Sequence, residues 1–296
     1  MKYARHNAPT APTAPAASER AIHFPSHFEQ ACKDSAGKPF AFDHDDMRTL
    51  HLDDRFIQSA MRISKPDQLL LSYTRAMMGF LLFKPQPRHI LMIGLGGGSL
   101  AKYCHARLPQ TRISVLEIDS DVIALRDKFL IPADDERFRI IHADAVDYIA
   151  STSDQADVIL HDGFCVDGLA PALCTQSFYR ACHQALEPDG VLVSNLWSDA
   201  SDLRGLMRRL HAIFEARLWW CGAGDNINRI VFSVKGASPL TQDTLQKRAA
   251  QCDLRHDLFL CNLLDSMQSA EGKSAAAFEK IAGNEMQAAF MELDDD

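Results

Sequence analysis

A chain of 296 residues with 47% hydrophobic content can bury a full core, as one large α/β domain or with a small appended one. Its net charge of −8 argues against a general nucleic-acid binder, and no apolar run approaches the roughly 18 residues of a membrane span. Eight scattered cysteines, none in a Cys-x-x-Cys pair, suggest neither a zinc site nor a disulfide framework and fit reduced thiols in a cytoplasm.

Residues 1–20 are rich in Ala, Pro and Thr, lack the apolar stretch of a secretory signal, and predict a disordered tail. Residues 21–85 predict a small antiparallel β region, with strands near 40–42, 49–52 and 56–63. A helix over 66–83 follows, its apolar residues recurring at helical spacing, and Pro85-Gln86-Pro87 marks a boundary. Residues 86–240 alternate strands and helices as an α/β nucleoside-binding catalytic domain does. Strands are expected over 90–93, 113–116, 138–142, 157–160 and 191–196, with helices over 100–108, 121–130, 146–149, 177–186 and 202–214. Strands over 216–221 and 229–234 flank a turn-rich segment and predict an antiparallel edge. Residues 241–296 predict a helical extension, with helix over 241–268, and carry no chemical signal.

The informative stretch is 88–119, RHILMIGLGGGSLAKYCHARLPQTRISVLEID. An apolar strand turns through Gly94-Leu95-Gly96-Gly97-Gly98-Ser99 into a helix, and the next strand ends on Glu117 and Asp119. Parallel α/β sheets hold adenosine with this unit, because glycines admit the ligand to the backbone and a carboxylate accepts both ribose hydroxyls. Glu117 lies 23 residues after Gly94, near the expected separation of about 20.

Three successive strands present acids at their carboxyl ends, where ligands sit in open α/β sheets: Glu117, Asp144 and Asp162. Any one of them alone reads as a turn or helix cap; three beside a glycine loop read as a site. Asp144 is placed to meet an adenine amino group and Asp162 lies deeper, where a reacting group would be. Asp162 and Asp167 flank an aromatic in one loop, a pair that suits an amine: one acid takes its proton and the other holds a distal ammonium. As the bland alternative, Asp167-Gly168 is only a turn. Trp219 and Trp220 read as core or interface aromatics, with Trp197 the one placed to line a pocket. His142 and His161 stand beside the acids without a third ligand at regular spacing, so no metal is expected.

These residues resemble the spermidine synthase (polyamine aminopropyltransferase) family over roughly residues 50–235. The resemblance is carried by Phe56-Ile57-Gln58-Ser59 with Tyr73, by Val115-Leu116-Glu117-Ile118-Asp119, by Asp144, and by the stretch from Asp162 through Gly168-Leu169-Ala170-Pro171 to Leu173-Cys174-Thr175-Gln176-Ser177-Phe178-Tyr179. It implies a Rossmann-like, class I methyltransferase-type fold: a mostly parallel seven-stranded sheet with a small N-terminal antiparallel β region. It also implies a homodimer or homotetramer that moves an aminopropyl group from decarboxylated S-adenosylmethionine to an amine such as putrescine, with no metal cofactor. Carried over by residue, Gly94, Gly96, Gly98 and Pro171 would frame the nucleoside, Glu117 would bind the ribose and Asp144-Ala145 the adenine. Gln58 and Tyr73 would line the amine channel, Asp162 would be the base, and Asp167 a second amine ligand.

Three features depart from that family. Its glycine loop reads Gly-Gly-Gly-Asp-Gly-Gly, whereas this loop has no acid; its Tyr-His-Glu-Met reads Tyr73-Thr74-Arg75-Ala76; and two more residues separate the loop acids. The departures leave methyl transfer from intact S-adenosylmethionine as the alternative, with Arg75 either paired to that donor's carboxylate or solvated. A further alternative is a non-catalytic nucleoside-binding or interaction protein. A nicotinamide dehydrogenase would share the loop and Glu117, but Ser99 stands where its third glycine belongs.

Overall fold

The computed structural model describes residues 27–165, 168–197, 202–224, 228–238, 240–256, 258–271, 273 and 277–278. The tail expected over 1–20 and the loop acid Asp167 lie outside the described residues.

Helix α1 (His27–Asp34) leads into a three-stranded antiparallel sheet, β1 (Phe40–His44), β2 (Met47–His51) and β3 (Ser59–Arg62). Phe28 seats the helix on it, edge-on to Phe42 and His51 with centroids 5.0 and 4.8 Å apart. The third strand begins at Ser59 rather than 56, because a turn in which Asp53 accepts from the Arg55 amide precedes it and frees 56–58 to run along the cavity. The single helix expected over 66–83 is instead two, α2 (Ser72–Met77) and α3 (Phe80–Phe83). The break falls at Met78-Gly79, where the chain presses so tightly on its neighbours that a Cβ on Gly79 would stand 2.7 Å from Leu263 and 2.8 Å from Phe232.

The α/β core follows as β4 (His89–Ile93), α4 (Ser99–Arg107), β5 (Arg112–Glu117), α5 (Ser120–Ala124), β6 (Phe138–His142), α6 (Ala145–Ser151) and β7 (Ala156–His161). A two-stranded ribbon, β8 (Phe164–Cys165) with β9 (Gly168–Leu169), and a 3-10 turn over Pro171–Cys174 lead to α7 (Gln176–Ala185), β10 (Leu186–Trp197) and α8 (Leu203–Ile213). Then come β11 (Leu218–Gly222), β12 (Asn228–Val234), α9 (Gln242–His256), α10 (Leu260–Ser266) and β13 (Gln268–Ser269). Helix α5 is much shorter than the helix expected over 121–130. The segment beyond it turns inward to bury Phe129, whose carbonyl accepts from Lys102 Nζ at 2.8 Å instead of from a next helical turn. The long C-terminal helix is likewise split: Phe259 adopts φ +57°, and the Asp253 carboxylate accepts from the amides of Leu260 (2.6 Å) and Cys261 (2.9 Å) at the start of α10.

Among the described residues the main sheet has eight strands, ordered β13-β11-β12-β10-β7-β4-β5-β6. The run from β10 to β6 is parallel, and β12, β11 and β13 extend it antiparallel. The seven strands expected are present, and the C-terminal extension supplies the eighth. One apolar cluster joins Leu50 and Met61 of the small sheet to Phe80, Ile90, Phe232 and Leu260. The opposite face packs Leu91, Ile159, Tyr179, Leu192 and Trp220. Truncating such residues to Ala costs about 2–5 kcal/mol each. The strand order reverses at β4, which pairs with β5 on one side and β7 on the other, so the crevice outside their carboxyl ends is where this fold places a ligand.

Candidate active site

A cavity of about 410 Å³ opens at that crevice. Its floor is the glycine loop between β4 and α4. Gly94, at φ +93°, is backed by the Asp162 carbonyl with no room for a Cβ, and its amide donates to Leu116 O at 2.9 Å. The tips of β4, β5 and β7 are thereby drawn together. At the end of β5 the Glu117 carboxylate is buried and held at both oxygens, accepting from the Leu95 amide at 2.9 Å and from the Asp119 amide at 2.9 Å. A carboxylate so fixed is a preorganised acceptor, with lone pairs left for a diol. Asp119 in turn caps α5, accepting from the Asp121 amide at 2.8 Å.

Asp162 follows β7 directly and faces the same cavity. It accepts from Asn195 Nδ2 at 2.9 Å and from the Tyr73 hydroxyl. The residue lines the cavity while protein packs closely around it. That burial pushes its pKa up from 3.8 to about 6, against the downward pull of the Asn195 and Tyr73 hydrogen bonds. Asp162 is therefore ionised at neutral pH yet basic enough to take a proton.

Of the residues singled out in the sequence, Gln58, Tyr73, Gly94, Gly96, Glu117 and Asp162 line the cavity together. Gly98, Asp144, Ala145 and Pro171 do not form its wall. Gly98 sits at φ +67° as the N-cap of α4, where a Cβ would strike Ile131 at 2.6 Å. Asp144 is exposed and caps α6 through the Val146 amide at 2.7 Å, Ala145 is buried in the first turn of that helix, and Pro171 opens the 3-10 turn at the surface. Arg75 is half-buried and does not line the cavity; its Nη1 donates to the carbonyls of Leu69 and Leu70 at 2.8 Å each. His142 is engaged by the Ile118 carbonyl at 3.0 Å, and His161 lies among Phe178 and Tyr179. No group of three metal-ligating side chains stands together among the described residues, and no described helix is long and apolar enough to cross a membrane.

Several lining residues had no sequence signal of their own. Asn195 is a lone amide in an apolar strand, and only its place beside the β7 acid gives it meaning. Trp197, the tryptophan that the sequence placed to line a pocket, is two residues on and so on the same face, and tilts against Phe164 (5.3 Å) and Phe56 (5.9 Å) to make an aromatic wall. Trp219 and Trp220 are core residues. Ser59 and Ser99 place their hydroxyls 3.2 Å apart at the loop. They also bear on the missing loop acid: at Gly97, where the resembled family carries Asp, a Cβ would stand 2.7 Å from Ser59 Oγ and 2.9 Å from Phe129. The space for an acid there is filled.

A family model described as the spermine/spermidine synthase domain matches residues 70–213. A polyamine aminopropyltransferase of Neisseria meningitidis is 38% identical over 236 residues, spanning 78% of this chain and 89% of its own. Among solved structures, a probable spermidine synthase from Corynebacterium glutamicum aligns with a TM-score of 0.63 at 21% identity, over 83% of this chain and 89% of its own. Human methyltransferase-like protein 13, in complex with SAH, aligns with a TM-score of 0.56 at 24% identity, over 71% of this chain and 99% of its own. The two structural likenesses are likenesses of fold.

Proposed function

This chain belongs to the spermine/spermidine synthase family, and on that premise we propose that it transfers an aminopropyl group from decarboxylated S-adenosylmethionine to a small amine such as putrescine. The observation that carries the reading is Asp162, held by Asn195 and Tyr73 in the cavity whose other end is the fixed Glu117 carboxylate. A neutral amine nitrogen attacks the carbon next to the sulfonium. The N–C bond forms as the C–S bond breaks, and the electron pair returns to sulfur, leaving methylthioadenosine. The new secondary ammonium gives its proton to Asp162. Alignment of the two reactants and removal of that proton supply most of what such a displacement needs.

In this reading Glu117 holds the ribose diol over Gly94 and Gly96, and Asp144-Ala145 with Pro171 meet the adenine side. Gly98 sets the loop's exit into α4. Gln58 and Tyr73 line the amine channel, and Asp167 is a second amine ligand. Residues 21–85 thus furnish the amine end and 86–240 the nucleoside end. A homodimer or homotetramer in the cytoplasm completes the proposal, supported by the family and by eight unpaired cysteines.

Methyl transfer from the intact donor is not favoured, since Arg75, the cation that would have met that donor's carboxylate, is spent on backbone carbonyls. Calorimetric titration with the decarboxylated and the intact donor, side by side, tests the proposal. Tighter binding of the decarboxylated donor is expected; preference for the intact donor refutes it.

A further inference from the structure

We infer that Lys102 is a positioning residue for the nucleoside end: from α4 it clamps the segment 125–131 against the back of the glycine loop, and so fixes where that loop meets Glu117. The inference rests on the reading above that Glu117 and the loop hold the nucleoside. Helix α4 buries five consecutive residues, Leu100 to Cys104, and Lys102 is the one cation among them, 4% exposed. Lys102 does not line the cavity. Its Nζ crosses instead to two other elements, donating to Met61 Sδ of β3 at 2.9 Å and to the Phe129 carbonyl at 2.8 Å.

That carbonyl needs a donor from outside its own segment. Leu130 adopts φ +53° and the Ile131 amide turns back to Arg126 O at 3.0 Å, so no helical ladder continues past Phe129. A buried carbonyl left unpaired is costly, and Lys102 supplies the missing N–H from across the interface. The neighbouring carbonyl, of Lys128, accepts from Arg48 Nη1 of β2. Two cations from two other elements thus hold adjacent carbonyls of one short segment.

The clamped segment backs the loop. The Phe129 ring lies against Gly97, where a Cβ would stand 2.9 Å from it, and Ile131 lies against Gly98, where a Cβ would stand 2.6 Å from it. The loop itself is a tight turn, with the Gly98 amide donating to Leu95 O at 2.8 Å, and the Leu95 amide reaches Glu117 Oε2 at 2.9 Å. With Phe129 and Ile131 behind it, the turn is kept from backing away from Glu117. The Lys102 amide also donates to Gly98 O at 2.8 Å, so one residue grips the segment with its side chain and the loop with its backbone. A carboxylate fixed in advance binds at lower entropic cost than one ordered by its ligand. An apolar residue at 102 would fill the helix face but leave the Phe129 carbonyl to seek water, letting the segment swing outward. A buried ammonium that costs stability is retained, on this account, because it holds the site in shape.

The test compares the full-length wild type with Lys102→Met. Hydrogen exchange of the Leu95 amide, followed without ligand, is expected to be about 3- to 30-fold faster in the variant. Methylthioadenosine binding by calorimetry is expected to weaken over the same range. KM for the decarboxylated donor rises with it while kcat stays within about threefold, because Glu117 meets the ribose and not the reacting atoms. The melt at pH 7 is not expected to fall, whereas a merely structural Lys102 predicts losses that follow unfolding and no split of KM from kcat. Arg48→Met frees the Lys128 carbonyl of the same segment and carries the test, with the same signs, where Lys102→Met disturbs folding. Unchanged Leu95 exchange or unchanged nucleoside affinity overturns the inference. A wild type that turns over no decarboxylated donor overturns the transfer reading alone, and Leu95 exchange with methylthioadenosine affinity then decides the role of Lys102. A wild type that binds no methylthioadenosine overturns both.

Discussion

Gly94 and Asp162 meet backbone to backbone: a Cβ on Gly94 would collide with the Asp162 carbonyl oxygen, and Gly94 holds φ at +93°. The glycine-loop floor of the cavity and the anchor of the proposed base are thus one contact. Gly94→Ala combines left-handed backbone strain with this collision and is expected to cost about 2–3 kcal/mol. A thermal melt lowered by several degrees, with weaker methylthioadenosine binding and slower transfer, is the expected outcome. An unchanged melt would mean that the loop and the β7 tip separate freely.

Replacing Asp162 by Asn removes the proton acceptor while preserving shape, so kcat is expected to fall about 10²- to 10⁴-fold with methylthioadenosine binding retained. In the wild type the active form is the carboxylate, whose folded pKa is about 6, so the rate rises as pH increases through about 6. The sign for stability is opposite. With its folded pKa raised above the unfolded value, Asp162 binds protons more readily in the folded state between about pH 4 and 6, and stability falls as pH rises through that window. Asp162→Asn is therefore expected to be more stable than wild type at pH 7, by about 1–2 kcal/mol. Equal melts at pH 7 would contradict this.

Glu117 and Asp144 are expected to behave unequally. Glu117→Gln keeps the size but loses the charge that a ribose diol meets, weakening methylthioadenosine binding by about 10- to 100-fold. Asp144→Ala loses a helix cap worth about 1 kcal/mol, with a smaller effect on nucleoside affinity because the side chain is exposed and does not line the cavity. Calorimetry on the two variants decides it, and a larger loss from Asp144→Ala would reverse the ranking.

Lys102 is a buried cation whose Nζ donates to Met61 Sδ at 2.9 Å and Phe129 O at 2.8 Å, neither of them a carboxylate. Burial pulls its pKa down from 10.5 to about 8. Below pH 8 the folded state carries the full cost of that charge, and stability rises as pH climbs from about 8 to 10.5. Lys102→Met is expected to stabilise the fold at pH 7 by about 1–3 kcal/mol, an advantage that shrinks above pH 8. A destabilised Met variant at pH 7 would show that the two hydrogen bonds outweigh the buried charge.

Much of the fold was legible because its signals are periodic or local. Strand β6 has the bounds read from its apolar run, and the glycine loop and Glu117, paired in the sequence by their spacing, stand together in the cavity. Helix periodicity overran where tertiary packing intervened. The pattern over 66–83 is continuous, yet Gly79 is pressed against Phe232 and Leu263 and the helix breaks there. The 121–130 pattern was cut short by burial of Phe129, and the αL backbone of Phe259 has no mark in its residue type. Asp144 illustrates a reading the sequence left open, since an acid after a strand can cap a helix or meet a ligand, and the structure shows the cap. Asn195 was illegible because its meaning lies in strand pairing, which brings it beside an acid 33 residues away in the chain.

The central claim is aminopropyl transfer with Asp162 as base. The measurement that tests it most directly is product analysis of the purified protein with decarboxylated S-adenosylmethionine and putrescine. Wild type is predicted to release methylthioadenosine and spermidine in equal amounts, and Asp162→Asn at most about a hundredth as much of each. Neither product from the wild type, together with S-adenosylhomocysteine formed from the intact donor and an amine acceptor, would contradict the account and make this cavity a methyl-transfer site.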